Sequence, residues 1–163
     1  MAVPLRRMAL WFALAGGLIA SGVALNTVLS VAMRALISKP IPGDVEMTQF
    51  GIALAISLCL PWCQLHRANI IVDFFTQKLA PRRQALLDAF GALLLAAMCM
   101  LLSWRTAVGA AAVHEAGETS MVLALPMWWN YALLAPGLAL TALVALVQAL
   151  YLLRGRSLMP ADR

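Results

Sequence analysis

Residues 8–33 read MALWFALAGGLIASGVALNTVLSVAM, and between Arg7 and Arg34 no side chain is charged. A bilayer's hydrocarbon layer is crossed by about 20 apolar helical residues, so this run is long enough to span it. Secretory signal cores are roughly 7 to 15 residues long. That argues against Arg6-Arg7 and Ser30-Val31-Ala32 as the basic region and cleavage site of a signal peptide. The stretch is read as a first membrane span. The composition agrees, with 63% hydrophobic and 12% charged residues in a chain of 163. A soluble domain carries about a quarter charged residues, and a disordered chain is far less apolar. The net charge of +5 comes from basic residues scattered between apolar runs, with no stripe to track nucleic acid.

Cutting the remaining chain at its charges gives three further spans. The second covers 47–65, with Pro61 near its far end, and membrane helices tolerate such a proline. The third covers about 84–113 and is interrupted by Arg105. Residues 119–153 are charge-free but too long for one straight span, and Pro126 divides them. Residues 119–126 then approach along the interface, and 127–153 form the fourth span, with a kink expected at Pro136-Gly137. The expectation is an all-α membrane protein, a single integral domain over 1–163.

The basic residues orient it. With four spans, Arg6, Arg7, Arg67, Lys78, Arg82, Arg83, Arg154, Arg156 and Arg163 fall on one side, nine of the twelve. Arg34, Lys39 and Arg105 fall on the other. The positive-inside rule makes both termini cytoplasmic. Between the second and third spans, Ile70, Ile71, Phe74, Phe75 and Leu79 recur at helical spacing, with polar residues between them, before Pro81. This spacing predicts an amphipathic interfacial helix at about 69–79, capped by Asn69 and flanked by Arg67, Arg82 and Arg83. A cytoplasmic extension of the second span is the other reading.

Chemistry is sparse. Cys59, Cys63 and Cys99 have neither a redox nor a zinc spacing and read as buried small apolar residues. His66 and His114 fall on opposite sides of the membrane, so they cannot together ligate one haem. Ion-coupled carriers usually keep an acidic group inside a span, and here no Asp or Glu lies well inside one. The polypeptide is therefore not expected to drive a pump by itself, nor to be an enzyme. Arg105 either snorkels to the interface or pairs with Glu115 or a partner subunit. Asn26, Gln49, Asn130 and Gln148 suit hydrogen bonds between helices. Trp62, Trp104, Trp128, Trp129 and Tyr151 near span ends form an aromatic belt.

Several motifs fall in an order that resembles a known family. They are Pro42-Gly43-Asp44-Val45-Glu46 before the second span, Gln64-Leu65-His66-Arg67-Ala68-Asn69-Ile70-Ile71-Val72-Asp73-Phe74-Phe75 after it, then Pro81-Arg82-Arg83 and Leu87-Asp88. Gly117-Glu118-Thr119-Ser120 follows, ahead of Leu125-Pro126-Met127-Trp128. Together they resemble the small membrane (Q) subunit of tripartite ATP-independent periplasmic (TRAP) transporters, over nearly the whole chain. Asn69 stands where many members have histidine, and Gly43 where many have tryptophan.

The resemblance implies a bacterial inner-membrane complex. A periplasmic binding protein delivers an organic acid, and a large permease subunit imports it with an ion gradient, usually sodium. The small subunit would be its scaffold. Sodium is expected in the large subunit, and no cofactor in this chain. On this reading Arg67, Ile70, Ile71, Asp73, Phe74, Phe75, Leu79, Arg82 and Arg83 anchor the interfacial helix. Asp44, Glu46, Glu115 and Glu118 are candidates for docking the binding protein. Arg34, Arg105, Trp62, Trp104, Trp128 and Trp129 are candidates for subunit or lipid contact. Two other classes remain open: the membrane anchor of a redox complex, and an independent small exporter.

Overall fold

Among the described residues, apolar runs with interruptions at their ends fold into four helices, α1 (Ala2–Ile37), α2 (Asp44–Leu65), α3 (Pro81–Ala116) and α4 (Trp128–Leu153). The computed structural model describes residues 2–39, 41–66 and 81–154, with side chains described from Pro4 on α1 and from Arg83 on α3. All four helices are long and apolar enough to cross a membrane. The expected interfacial helix at 69–79, with Arg67, Ile70, Ile71, Asp73, Phe74, Phe75 and Leu79, lies outside the described residues.

α1 and α3, of 36 residues each, run past the edges of their apolar stretches. At 1.5 Å per residue they measure roughly 54 Å, so they exceed the hydrocarbon layer by several turns. α2 and α4 are shorter, at 22 and 26 residues. The short helices lie in the middle. α1 packs on α2, α2 on α4 and α4 on α3, giving the spatial row α1–α2–α4–α3. α1 and α4 touch far less, and Ala9, Leu65 and Val144 from α1, α2 and α4 form one buried cluster with Leu5 and Trp62 against it. Among the described residues α3 has no extended packing on α1 or α2. The result is an open row with broad apolar flanks. Leu14, Leu18 and Leu25 on α1, Leu93, Met98 and Leu101 on α3, and Leu143, Leu146 and Leu150 on α4 are all exposed.

Small residues set the seams, because apolar side chains gain little by leaving lipid for one another and close backbone approach supplies the attraction instead. On α1, Ala9, Gly16 and Ser30 are buried and Val23 is half-buried, a row at seven-residue intervals facing α2. A Cβ at Gly16 would stand 2.9 Å from the Ala55 carbonyl oxygen and 2.8 Å from Cys59 Sγ. Further along the same seam, a Cβ at Gly51 would collide with Val23. The α2–α4 crossing is tighter still. A Cβ at Gly137 would collide with the Ser57 hydroxyl and stand 2.6 Å from the Ser57 carbonyl oxygen.

Hydroxyls and amides finish the seams. Ser57 Oγ donates to the Leu134 carbonyl and Ser103 Oγ to the Ala135 carbonyl, each at 2.9 Å. Both neighbours of α4 thus grip consecutive carbonyls next to Pro136. Toward the other end of α2, Gln64 Nε2 donates to Gln148 Oε1 at 3.0 Å in a buried pair. Gln148 therefore bonds between helices, as its place in a span led one to expect. Asn26 differs: its Nδ2 is buried with no hydrogen-bond partner among the described residues.

Candidate functional site

The connection between α3 and α4 begins with backbone geometry that ends a helix sharply. Gly117 adopts φ +64°, its N–H donates to the His114 carbonyl at 3.2 Å, and the Glu118 N–H donates to the Val113 carbonyl at 3.3 Å. This is the Schellman pattern, in which a left-handed residue lets its own amide and the next one close back on the last turn. The chain then doubles on itself. Ser120 N–H donates to the Leu125 carbonyl at 2.9 Å, Met127 N–H to the Glu118 carbonyl at 3.1 Å, and Thr119 pairs with Pro126 in an isolated antiparallel bridge. Ser120 Oγ accepts from the Leu125 N–H at 3.2 Å.

This small loop reaches across to a different helix. Glu46, in the first turn of α2, accepts from the Val122 N–H at 2.9 Å, the Leu123 N–H at 3.2 Å and the Ser120 hydroxyl at 2.8 Å. One carboxylate therefore satisfies two loop amides and a hydroxyl, which neutral acceptors do less strongly. Beside it Gly43, at φ +74°, leaves room for Leu123, whose side-chain carbons a Cβ would strike. The neighbouring Asp44 serves the other direction. It accepts from Ser30 Oγ of α1 and from its own helix at the Val45 N–H, 2.7 Å away. Two acidic residues in the first turn of α2 also complement the positive end of its dipole. Together they join α1, α2 and the α3–α4 connection at one end of the row.

Not every candidate residue gathers there. Asp44 and Glu46 are engaged within the chain, whereas Glu115 and Glu118 are exposed at the same end. Arg34 is exposed in the last turn of α1. Arg105 is exposed on α3, and ten residues of helix, about 15 Å of rise, separate it from Glu115, too far for a direct ion pair. Trp128 is half-buried, edge-on to His114 at 5.0 Å and to Trp129 at 6.1 Å. Trp62 packs on the Ala9 cluster and lies 4.3 Å from the His66 ring. Trp104 and Trp129 are exposed. Arg83 is exposed on the first turn of α3. His66 ends α2 and His114 stands near the end of α3, beside the Glu46 loop, so the two imidazoles occupy opposite ends of the row. Among the described residues no group of His, Cys, Asp and Glu could hold a metal ion.

The part played by Ser120 was not read from the sequence, nor were Ser57 and Ser103 at the helix crossings. Serines within or beside apolar spans, Ser57 shortly before Pro61 and Ser120 shortly before Pro126, were the available signal. Which carbonyl or carboxylate each would reach depends on folding.

No curated protein and no solved structure gives a significant match to the chain. Residues 23–155, which hold the C-terminal part of α1, all of α2 to α4 and the Glu46 loop, match the family described as Tripartite ATP-independent periplasmic transporters, DctQ component. The chain belongs to this family, and is a small permease component of a TRAP transporter, a multi-pass membrane protein working with a large permease and a periplasmic binding protein.

Proposed function

We propose that the chain is the static scaffold of its transporter, bracing the large permease subunit while that subunit imports an organic acid with an ion gradient, most simply sodium. The observation that carries this reading is the pairing of an open row of helices with span interiors that hold no carboxylate. A coupling site needs acidic or polar groups gathered around an ion, whereas Ser57, Ser103 and the Gln64–Gln148 pair here bond helix to helix. A row, unlike a closed bundle, offers wide flat flanks to a larger neighbour. The side carrying nine of the twelve basic residues is cytoplasmic on this reading, which puts both termini inside and the Glu46 end on the periplasmic face of a bacterial inner membrane. Residues 69–79 would lie along the cytoplasmic interface, with Arg67, Asp73, Arg82 and Arg83 at headgroup level. At the periplasmic end Asp44 and Glu46 act by shaping the end of the scaffold, leaving Glu115 and Glu118 free for a soluble partner.

Reconstitution tests the scaffold role. The large subunit with this chain and the binding protein should accumulate the acid under a sodium gradient. This chain alone should be inert. Accumulation by this chain alone, or undiminished accumulation without it, would sink the proposal.

A further inference from the structure

The loop held by Glu46 carries a feature that scaffolding does not require. Met121 is wholly exposed, at 101%, and Val122 is 61% exposed. Apolar side chains on a slack loop fold back onto the chain. Here the backbone is fixed on both sides of them. Ser120 is bonded to Leu125 and to Glu46, and the Val122 and Leu123 amides donate to the same carboxylate. Leu123 is seated against Gly43, and Ala124 completes the turn at φ +51°. The two side chains are thus presented by a rigid support, which lowers the ordering cost of binding. Glu115 and Glu118, both exposed, stand just before the loop.

Resting on the orientation proposed above, we infer that Met121 and Val122 form a docking knob for the soluble periplasmic binding protein, which receives them in an apolar depression rimmed by basic side chains. Lipid and the large subunit are the other destinations for an apolar tip. Two observations favour the soluble protein over lipid. The exposed carboxylates of Glu115 and Glu118 would lie unfavourably beside anionic headgroups but suit a basic rim. Insertion into a fluid bilayer also has no need of a backbone held by five hydrogen bonds through Glu46 and Ser120.

The complex of this chain with its large subunit, in nanodiscs, is titrated with the labelled cognate binding protein. Met121→Asp is expected to weaken association about fivefold or more, as loss of an interface anchor does. The pair Glu115→Gln and Glu118→Gln should weaken it less and flatten its salt dependence. Since the Met121 side chain is wholly exposed, the variant should keep the parent's unfolding midpoint. Co-purification of the large subunit with the Met121→Asp variant is expected to match the parent, and its loss would overturn the proposal. Unchanged association for Met121→Asp overturns the knob alone. Failure of the parent complex to bind overturns the knob together with the reading beneath it. A bimane label on Met121→Cys, with Cys59, Cys63 and Cys99 replaced by alanine, is expected to escape quenching by brominated lipids. Strong quenching that persists with binding protein present assigns the tip to lipid and overturns the proposal.

Discussion

α1 and α4 are written in the same language, long, apolar and charge-free through their middles, yet the fold uses them differently. α1 buries the single row of Ala9, Gly16 and Ser30, and leaves Trp11 71% and Leu18 78% exposed. α4 buries Gly137, Thr141, Val144 and Gln148, and also Leu138, Ala142, Ala145 and Ala149 about a quarter-turn round. One helix has one neighbour along its length and the other has two. Hydropathy brings both into the membrane. The placing of small and hydroxyl-bearing residues then decides how many partners each can approach, because association within lipid rests on close packing and hydrogen bonds.

The comparison breaks most readily at Gly137. Gly137→Val puts branched carbons against the Ser57 backbone, which cannot withdraw as a flexible side chain would. It should destabilise the folded chain in detergent by about 3 kcal/mol, the upper end for overpacking. Energy transfer between labels on α2 and α4 should fall with it, and an unchanged unfolding curve would contradict the close crossing. Gly16→Val, against Ala55 and Cys59, is expected to cost about 2 kcal/mol, since only the edge helix is displaced. Its neighbour supplies the control. A Cβ at Gly17 meets nothing within 4 Å, so Gly17→Ala should leave isolated-chain stability within about 0.5 kcal/mol of the parent.

Polar ties sharpen the same contrast. Gln64→Leu strands the Gln148 amide in the α2–α4 seam and should cost about 1 kcal/mol. Adding Gln148→Leu should recover most of that loss, because it removes the buried group that Gln64→Leu strands. Additive losses would argue against the pair. At this end of the row, Glu46 ties α2 to the loop before α4 with three bonds, whereas Asp44 ties it to α1 through Ser30. Glu46→Ala should therefore speed amide exchange at Val122 and Leu123 without separating the helices. Slow exchange persisting in that variant would place the loop's support elsewhere. Trp11→Ala, on the open side of α1, should change the isolated chain least of all, and its unfolding midpoint reads that out directly.

Much of this was legible in one dimension. The four helices follow from apolar runs between charges, and the helix ends differ from the runs by a few residues because hydrogen bonding continues into the polar layers. The family likeness was legible from ordered motifs near the ends of the spans. Pro126 marks the entry to α4, and the segment before it does not span. The role of Glu46 was less legible. An acidic residue opening an apolar helix reads as an exposed docking group, and only the return of residues 120–123 over that helix turns it into an internal acceptor. The choice between snorkelling and a Glu115 partner for Arg105 narrows once α3 is one continuous helix, since its rise separates the two charges.

The sequence by itself determined that the chain is helical, apolar and fit to cross a membrane, because solvation depends on each residue's own chemistry and on runs of neighbours. Only the tertiary structure decided that the spatial order is α1–α2–α4–α3, that Gly137 meets Ser57, and that Glu46 holds the loop that presents Met121. Those facts join residues some 75 to 80 positions apart, and nothing in a local pattern of hydropathy says which two apolar faces will meet.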